Sequence, residues 1–576
     1  MIDESPDMST LPTGRLSRRT LIGYSAGAIA GSALTAKAIT ASAQEATPEA
    51  TPESRSEFEP SGIPPVPESL GPAVPPEFTE PTNWPAENYD LANTRRVTSS
   101  ISTETIGQLG TAWTVPITTP GTFGAVTSAP IIVDNTLYML DMQSNVWAYD
   151  KTTGEQRWVK NYNVNCAGPN GAAAGYGLLV FPLSDTAEMV ALDLETGDEK
   201  WRVGLPQPRH EGITMGPLIY DSTVYVSTVP INGTHGLYLG GQRGMLYALD
   251  LNTGEVLWFF DTTTDNLWGN FRVNSGGGLW HPPAIDENGM LYAGIANPAP
   301  YPGTPDFPAA SSRLGDNLYT NSAIRIDPVA GKVDWYVSLK PHDLFDADNH
   351  LSPVLTSAAI GGVETPLVIS TGKHAFVAGI HRETGKEIWK TPVGVHINDM
   401  LDTLPADDED PIEVAPGVIG GVETPIALGD GAVYTACVNV SAMYTGSTVG
   451  SNPFSEATSN LTALDVATGE IIWDKVVPTC LLGGVIAVND VVLTAGLDGL
   501  VRGFSAADGS EIFRYQTTSG INAPISMSGD YVYIPSSGPF YTNSDVANPA
   551  PEQAAALVAL KIGGEVQPTP AASPTA

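Results

Sequence analysis

The chain is poor in cysteine, histidine and positive charge. Its 576 residues include three cysteines and eight histidines, and 27 Lys and Arg residues against 63 Asp and Glu give a formal net charge of −36 at pH 7. So few cysteines exclude a disulfide framework, and the absence of a Cys-x-x-Cys-His motif excludes a covalently attached c-type haem. The histidines lack zinc-site spacing. Because so acidic a surface repels phosphate backbones, we expect no nucleic-acid partner.

Long hydrophobic runs are also scarce, and the one weakly apolar stretch lies near the N-terminus. Ser-Arg-Arg at 17–19 precedes an Ala- and Gly-rich segment that ends in Ala-Ser-Ala at 41–43. This pattern predicts a twin-arginine export signal over residues 1–43. An uncleaved membrane anchor is the alternative, since the segment is barely long enough to span a bilayer. We therefore expect an exported protein, periplasmic, on the cell surface or extracellular, with no transmembrane segment in the mature chain.

Composition divides the rest of the chain into three parts. Residues 44–82 are rich in Pro, Glu, Ser and Thr, which predicts an extended linker. Residues 563–576 are a shorter stretch of the same kind, which we expect to be a disordered tail. Residues 83–562 carry one repetitive array, so we expect them to form a single large domain.

One hairpin sequence recurs through that domain. Alternating apolar residues lead to an Asp, a turn containing Gly, and a closing aromatic residue. The alternation predicts a half-buried strand, the Asp can cap the turn, and Gly tolerates a positive φ. The closing Trp offers about 150–250 Å² of apolar surface to a neighbouring hairpin. The seven copies are WAYDKTTGEQRW (147–158), VALDLETGDEKW (190–201), YALDLNTGEVLW (247–258), IRIDPVAGKVDW (324–335), AGIHRETGKEIW (378–389), TALDVATGEIIW (462–473) and RGFSAADGSEIF (502–513).

These repeats predict an all-β fold, an eight-bladed β-propeller built from tryptophan-docking repeats. No single hairpin buries enough surface to be stable alone, and a propeller stacks such sheets radially. Seven repeats give eight blades if the N-terminal LGTAWTVPI (109–117) and the C-terminal LVALKIGGEV (557–566) share one blade and close the ring. A seven-bladed ring is the alternative, with the terminal pieces outside it.

Chemistry-bearing residues cluster on long insertions between the third and fifth repeats. The spacing of the repeats in this region exceeds what a bare blade needs, and such oversized loops often carry function. Taken singly, each residue has an ordinary interpretation as core, turn or solvated side chain. Together they supply a flat aromatic ring, an amide oxygen, carboxylates and a cation, and carboxylate and amide oxygens suit hard cations such as calcium. The residues are Trp280, Asn297, Asp343, Asp346, Asp348 and Lys373.

Residues Asn83 to about Lys561 resemble the alcohol dehydrogenases that depend on pyrroloquinoline quinone (PQQ), the methanol dehydrogenase-like quinoproteins. The opening NWPAENYDLANTRRVTSSIS (83–102) is similar to the segment that precedes their propeller, and the repeat is similar to their tryptophan-docking motif. The resemblance implies an eight-bladed enzyme that oxidises an alcohol or a related substrate with PQQ and a metal ion. A separate electron acceptor, such as a cytochrome or a quinone, would then be needed.

The same resemblance assigns roles to individual residues. Trp280 falls where the family stacks an indole on the quinone ring, and Lys373 falls on the cation that faces the quinone oxygens. Asn297 falls on a metal-ligand position, and Asp346 on the catalytic aspartate that also contacts the metal. Asp348 matches the extra carboxylate that marks the lanthanide-using branch, so the implied ion is calcium or a lanthanide.

Several positions depart from the family pattern. The expected glutamate ligand is missing, because the loop 231–244 contains no carboxylate. The adjacent cysteine pair is reduced to Cys166, and the arginine that usually follows the pair is absent. GGVETP (420–425) and LLGG (481–484) replace stretches that normally carry Trp. These losses favour the alternative function, a non-catalytic propeller similar to the quinoprotein-repeat scaffold of outer-membrane protein assembly.

Overall fold

The structure, a computed structural model, is all-β and describes residues 66–121, 123–207, 209–329, 332–538 and 554–567. Eight antiparallel sheets of four main strands follow one another along the chain, and we number them 1 to 8. Sheet 1 contains Ile131–Val133, Thr136–Leu140, Val146–Asp150 and Gln156–Lys160; sheet 2 contains Ala173–Gly175, Leu178–Leu183, Glu188–Asp193 and Glu199–Gly204. Sheet 3 contains Leu218–Tyr220, Thr223–Ser227, Met245–Asp250 and Val256–Asp261; sheet 4 contains Ala284–Ile285, Leu291–Gly294, Ser322–Asp327 and Lys332–Ser338.

The second half of the chain repeats the same arrangement. Sheet 5 contains Val354–Ile360, Val363–Ser370, Phe376–His381 and Glu387–Pro392; sheet 6 contains Gly421–Val422, Ala427–Leu428, Ala432–Asn439, Thr458–Asp465 and Ile471–Val477. Sheet 7 contains Val485–Val488, Val491–Ala495, Leu500–Ser505 and Glu511–Gln516, with the short strand Arg96–Val97 added in parallel. Sheet 8 contains Ser526–Ser528, Tyr531–Ser536, Ala556–Ile562 and the N-terminal strand Leu109–Pro116.

Insertions between these strands form the remaining short elements. A four-residue helical turn spans Asp265–Trp268, and its residues Asn266 and Leu267 are left-handed, with φ of 55° and 57°. The three-residue 3₁₀ helices are Pro76–Phe78, Ile106–Gln108 and Phe454–Glu456. The small sheets pair Ile231–Asn232 with Gly236–Leu237, Ser275–Gly276 with Pro298–Ala299, and Ile412–Val414 with Ala442–Tyr444 and Val449–Ser451.

The repeated hairpins have the predicted turn chemistry. In the hairpin of sheet 1, Oδ1 of Asp150 accepts hydrogen bonds from the amides of Thr152 and Thr153, at 2.9 and 3.1 Å. Gly154 follows with φ of 72°, and the other described repeat glycines are also left-handed. A side chain at these positions would be strained, so the Asp and the Gly together fix the turn.

Each turn glycine also receives the tryptophan of the preceding sheet. The indole of Trp389 in sheet 5 donates a hydrogen bond to the carbonyl of Val466 at 2.9 Å, and a Cβ on Gly469 of sheet 6 would lie 2.4 Å from its ring. The glycine therefore opens the space that the indole fills. The other described pairs of this kind are Trp113 with Gly154, Trp158 with Gly197, Trp201 with Gly254, Trp335 with Gly385 and Trp473 with Gly509.

The two ends of the chain meet in sheet 8. Leu109–Pro116 pairs antiparallel with Ala556–Ile562, and its Trp113 packs against the turn of sheet 1. Immediately beyond, Glu565 forms a β-bridge with Thr111. This contact lies within residues 563–576, which we expected to be a disordered tail.

The segment from Trp84 to Val97 crosses from sheet to sheet. Trp84 bridges to Ile132 of sheet 1, and the later residues accept amide hydrogen bonds from the first strands of other sheets. These bonds tie one short segment to six of the eight sheets. The bonds run from Ala174 to Pro85, Ile285 to Leu91, Leu355 to Ala92, Leu428 to Thr94 and Ala487 to Arg95.

Residues 66–82, the described part of the predicted linker, lie against sheets 2 and 3. The carboxylate of Glu77 accepts the amides of Tyr176 and Gly177 at 2.9 and 2.7 Å, and the carbonyl of Ala73 accepts the amide of Asp221. Contacts with the sheets therefore begin before residue 83. The predicted export signal, residues 1–43, lies outside the described residues. Within the described ranges, no helix has the length and apolarity required to cross a membrane.

Candidate functional site

The predicted site residues of sheets 4 and 5 meet in a buried ion-pair cluster. Asp346 and Asp348 lie on the loop between the two sheets, and Lys373 lies on a turn of sheet 5. Nζ of Lys373 is 2.9 Å from Oδ2 of Asp346 and 3.0 Å from Oδ2 of Asp348. All three side chains are at most 8% exposed. One buried ammonium therefore faces two carboxylates.

The loop that carries the two aspartates is held by a third one. Asp343 accepts the amides of Phe345 and Ala347 at 2.8 and 2.7 Å, and Arg313 donates to its carbonyl at 2.5 Å. This network turns the chain so that Asp346 adopts a left-handed φ of 64°. The role of Asp343 is therefore to position the loop.

Asn297 joins the cluster from the insertion of sheet 4. The backbone N–H of Asn297 donates a hydrogen bond to Oδ1 of Asp348 at 2.6 Å. Its side-chain oxygen accepts a hydrogen bond from the hydroxyl of Tyr238 at 3.3 Å. Tyr301 packs edge-on against Tyr238 with ring centroids 5.4 Å apart. The two tyrosines thus cover the polar cluster on one side, and both escaped the sequence analysis because nothing in their local sequence marks them.

Burial and the neighbouring opposite charges have opposing effects on the pKa values of the cluster. Burial raises the pKa of Asp346 well above its usual range and also raises the pKa of Asp348, while Lys373 opposes both shifts. Burial alone would lower the pKa of Lys373, but Asp346 and Asp348 outweigh it and raise that pKa. Burial, reinforced by Asp346, raises the pKa of both tyrosine hydroxyls, so they stay protonated donors. The cluster is stable only because the charges are paired.

Two adjoining cavities open beside this cluster, with about 840 and 580 Å³ of space free of protein atoms. Trp280, His281 and Glu423 line both of them, and Lys373 and Asp348 line only the smaller one. The larger cavity is otherwise mostly apolar, with lining residues from both halves of the chain. Its further walls include Phe123, Pro169, Asn170, Ile419, Phe454 and Asn522.

Several buried polar atoms at and near the two cavities are unpartnered. Nε1 of Trp280, Nε2 of His281, Nδ1 of His350 and Oε1 of Glu423 have no hydrogen-bond partner within the described structure, and neither has Oδ1 of Asp346. Buried polar groups in native proteins are normally paired, and an exception calls for a missing ligand or water. The arrangement of donors and acceptors therefore fits a polar ligand.

A second acid–base group lies on the wall of the cavities. Nδ1 of His281 is 2.5 Å from Oε1 of Glu87, and the ring of His281 lies 5.5 Å from that of His350. His350 in turn lies 4.0 Å from Oε2 of Glu423. Burial lowers the pKa of His350 well below its usual value, so its imidazole is neutral. The contact was not predicted from the sequence, because Glu87 and His281 are separated by 194 residues.

Glu423 brings a carboxylate to the site from an unexpected position. It belongs to the stretch GGVETP (420–425) on sheet 6, which the sequence analysis interpreted only as the loss of a tryptophan. Its side chain is 17% exposed, and burial raises its pKa to about 7. The loop 231–244, which lacks the expected glutamate, lines the smaller cavity together with Glu423.

The donor chemistry of the site suits a hard cation. Asn297, Asp346 and Asp348 offer amide and carboxylate oxygens, the ligands that calcium and larger trivalent ions bind. Oδ1 of Asp346 and Oε1 of Glu423 are unpartnered. In the described part of the chain, no three His, Cys, Asp or Glu side chains converge as a metal centre by themselves. A cation at this site would therefore also need the side-chain oxygen of Asn297 or oxygen atoms from a bound ligand.

The three cysteines lie apart and are free. Cys166, Cys437 and Cys480 are buried. Cys166 contacts Phe123 and lies next to Ala167, so it sits just behind the wall of the larger cavity. Burial raises the pKa of its thiol to about 11. It packs as a small apolar residue.

Two family models match the chain. The model described as the glucose/ethanol/alcohol dehydrogenase β-propeller domain matches residues 84–393, more than half of the sequence. The model described as outer membrane protein assembly factor BamB matches residues 446–548.

Similar proteins agree with the first model. The chain is 24% identical over 477 residues to a quinoprotein ethanol dehydrogenase of Pseudomonas putida, covering 69% of this chain and 76% of the relative. It is 24% identical over 376 residues to a lanthanide-dependent methanol dehydrogenase of Methylacidiphilum fumariolicum, covering 58% of each chain. The solved quinohemoprotein alcohol dehydrogenase of Pseudomonas putida superposes with a TM-score of 0.74 at 21% identity, covering 87% of this chain and 83% of that one. This last likeness shows a common fold.

Proposed function

The chain belongs to the glucose/ethanol/alcohol dehydrogenase β-propeller family, and we propose that it is a PQQ-dependent oxidoreductase that acts on an alcohol or a related substrate. The observation that carries this proposal is the buried cluster of Asp346, Lys373 and Asp348 beside a cavity with an aromatic wall at Trp280. A buried carboxylate with an unpartnered oxygen is not needed in a binding scaffold. A dehydrogenase, in contrast, needs a carboxylate of this kind as a base next to its substrate.

We also propose that the eight sheets are the blades of one closed ring. Trp113 of sheet 8 packs on Gly154 of sheet 1 in the same way as the tryptophans of sheets 1, 2, 4, 5 and 6 pack on the sheets that follow them. Leu109–Pro116 lies in one sheet with three strands from the C-terminal part of the chain. A blade shared between the two ends of the chain would link the last sheet to the first. These contacts support eight blades over seven.

In the proposed reaction Asp346 is the base. Its Oδ2 is fixed by Lys373 at 2.9 Å, its Oδ1 accepts no hydrogen bond of ordinary geometry, and the hydroxyl of Tyr301 lies close to the carboxylate. A substrate hydroxyl within hydrogen-bond distance of Oδ1 can therefore give up its proton there as the alcohol is oxidised. Lys373 stabilises the ionised carboxylate before the transfer, and Asp343 keeps the loop in place. Tyr238 and Tyr301 exclude water from the cluster.

The cofactor would lie against Trp280, which lines both cavities. PQQ, when bound, supplies the electron-accepting quinone. Trp280 offers its ring face and the indole N–H, while Lys373 places a cation near the smaller cavity. Asn297, Asp346 and Asp348 would hold the calcium or lanthanide ion together with oxygens of the cofactor. The lanthanide-dependent relative favours a trivalent ion for this donor set.

The proposal includes export and a separate electron acceptor. The twin-arginine pattern before residue 43 supports transport across the membrane in a folded state. The chain contains no Cys-x-x-Cys-His motif, so electrons must leave to another molecule, such as a cytochrome or a quinone. A binding scaffold is the second candidate function, because the assembly-factor model matches residues 446–548.

Titration of the purified protein with PQQ tests the proposal. The protein is first treated with a chelator and then titrated without metal, with calcium and with lanthanum, while cofactor absorbance and the melting temperature are followed. We expect binding that depends on the metal and raises the melting temperature. Alcohol oxidation is then measured with an artificial electron-accepting dye. Absence of PQQ binding under all three conditions would leave the scaffold as the function.

A further inference from the structure

The cavities contain little positive charge for a ligand that carries carboxylates. Their described basic residues are Lys373, His281 and His350. Lys373 is already paired with Asp346 and Asp348, and Nε2 of His350 lies 4.0 Å from Oε2 of Glu423. The acidic residues Glu87, Asp348 and Glu423 line the same space. Of the three basic groups, only His281 is available to a bound anion.

The geometry of His281 suits that task. Its ring is only 6% exposed, and its Nε2 is buried without a partner. Oε1 of Glu87 lies 2.5 Å from Nδ1, within hydrogen-bond distance. A carboxylate on Nδ1 fixes the orientation of an imidazole and stabilises its protonated form. On a ring that carries both protons, Nε2–H is then a donor at a fixed position beside Trp280.

Glu87 is itself held in place. It lies on the segment that crosses from sheet to sheet, where Nη1 of Arg95 donates to its backbone carbonyl at 2.9 Å. The indole of Trp84 donates to the same carbonyl at 3.1 Å. Arg95 is fully buried, and its other hydrogen bonds reach Val485 and Ile525 on the far sheets. The carboxylate of Glu87 is therefore presented to His281 by a rigid support.

We propose that His281, oriented by Glu87, binds a carboxylate group of the ligand in these cavities. This inference rests on the proposed function, in which that ligand is PQQ, a tricarboxylic quinone. His281 would take the place of the arginine that is missing after Cys166. The ring of His350 lies 5.5 Å from that of His281 and pairs with Glu423, and Nε2 of His281 has no hydrogen-bond partner in the described structure.

The experiment compares PQQ with its trimethyl ester, which keeps the quinone but has no carboxylate. Both are titrated into the calcium-loaded protein, and quenching of tryptophan fluorescence is followed. His281→Gln should bind PQQ roughly 10- to 100-fold more weakly, because one charge-assisted hydrogen bond is lost, and bind the ester as the wild type does. Glu87→Gln should shift PQQ binding in the same direction, and Glu87→Asp should restore most of it. His281→Asn serves as a second variant if the first does not fold.

His396→Gln is the matched control, since His396 pairs with Asp399 at 2.8 Å but lines neither cavity. It should leave both affinities unchanged. Equal weakening of PQQ and ester in the His281 variants would show a packing role and overturn the inference. Unchanged PQQ affinity in those variants would overturn it as well, while the proposed function stands. A wild-type protein that binds no PQQ would overturn both.

Discussion

Nζ of Lys373 lies 2.9 Å from Oδ2 of Asp346, and both side chains are almost completely buried. Asp346 lies on the loop between sheets 4 and 5 and Lys373 on a turn of sheet 5, so the pair joins that loop to sheet 5. Breaking a buried ion pair by removing one charge is costly, since the other charge is left without compensation. Oδ1 of Asp346 is buried without a hydrogen-bond partner, while Lys373 and Asp348 line the smaller cavity. The carboxylate of Asp346 therefore contributes both to the buried ion pair and to the proposed reaction.

Asp346→Asn should abolish most of the alcohol oxidation. The amide keeps the volume of the side chain but cannot accept the substrate proton at Oδ1, and a general base contributes about 10²- to 10⁴-fold to a rate. The kcat of dye-linked alcohol oxidation by the PQQ-loaded protein measures the effect. Asp306→Asn, at an exposed position, is the control and should keep full activity. A normal kcat in Asp346→Asn would contradict the assignment of the base.

Trp280, Asn297, Asp346, Asp348 and Lys373 were named from the sequence through the family resemblance, and the structure brings them to one region. Their roles toward a cofactor and a metal stay predictions. The hairpin turns were predictable from the local sequence, since Asp150 and Gly154 act within a few residues of each other.

Glu87, His281 and Glu423 were not predictable in the same way. The contact between Glu87 and His281 joins residues 194 positions apart, and Glu423 reaches the cavity from sheet 6. Such contacts depend on how the segment 84–97 crosses the sheets, and no local pattern encodes that path. The position of His281 directly after Trp280 was the one indication in the sequence that His281 lies near the site. Its role became apparent only from its contact with Glu87 in the structure.

The turn glycines allow a matched test of tryptophan docking. Gly469 and Gly361 both have left-handed φ, 71° and 59°, but a Cβ on Gly469 would lie 2.4 Å from Trp389 whereas Gly361 has open space around it. Gly361→Ala should cost about 1 kcal/mol from backbone strain alone. Gly469→Ala should cost at least 2 to 3 kcal/mol, since overpacking adds about 1–3 kcal/mol. Urea unfolding followed by tryptophan fluorescence measures both, and equal losses would argue against docking.

The cysteines should be unreactive in the native protein. All three are buried, and burial raises the pKa of Cys166 to about 11 and the pKa of the other two thiols as well. Only the thiolate attacks a disulfide reagent, so at pH 8 almost none is available. Reaction with Ellman's reagent should report no thiol before denaturation and three in guanidinium chloride. Rapid labelling of the native protein would show that the wall of the larger cavity near Cys166 opens.

Glu423 should make the ligand-free protein less stable as the pH rises. Its pKa in the folded state is about 7, raised from an ordinary value of 4.5 by burial. Below pH 4.5 the carboxyl is protonated in both the folded and the unfolded state, and it contributes nothing. Between pH 4.5 and 7 the unfolded state loses the proton first, so the free energy of unfolding falls by about 3 kcal/mol and stays lower above pH 7.

Glu423→Gln removes this dependence, because the amide is neutral at every pH. We expect the variant to be more stable than the wild type by about 2–3 kcal/mol at pH 8 in the presence of a chelator, and the difference to shrink toward zero as the pH is lowered to 5. Urea unfolding at several pH values measures it, and the surface variant Glu104→Gln should show no such trend. Calcium or lanthanum together with PQQ should reverse the order at pH 8, since a bound cation stabilises the ionised Glu423 of the wild type. A variant less stable than the wild type at pH 8 in chelator would mean that Glu423 is ionised and well compensated without any ligand.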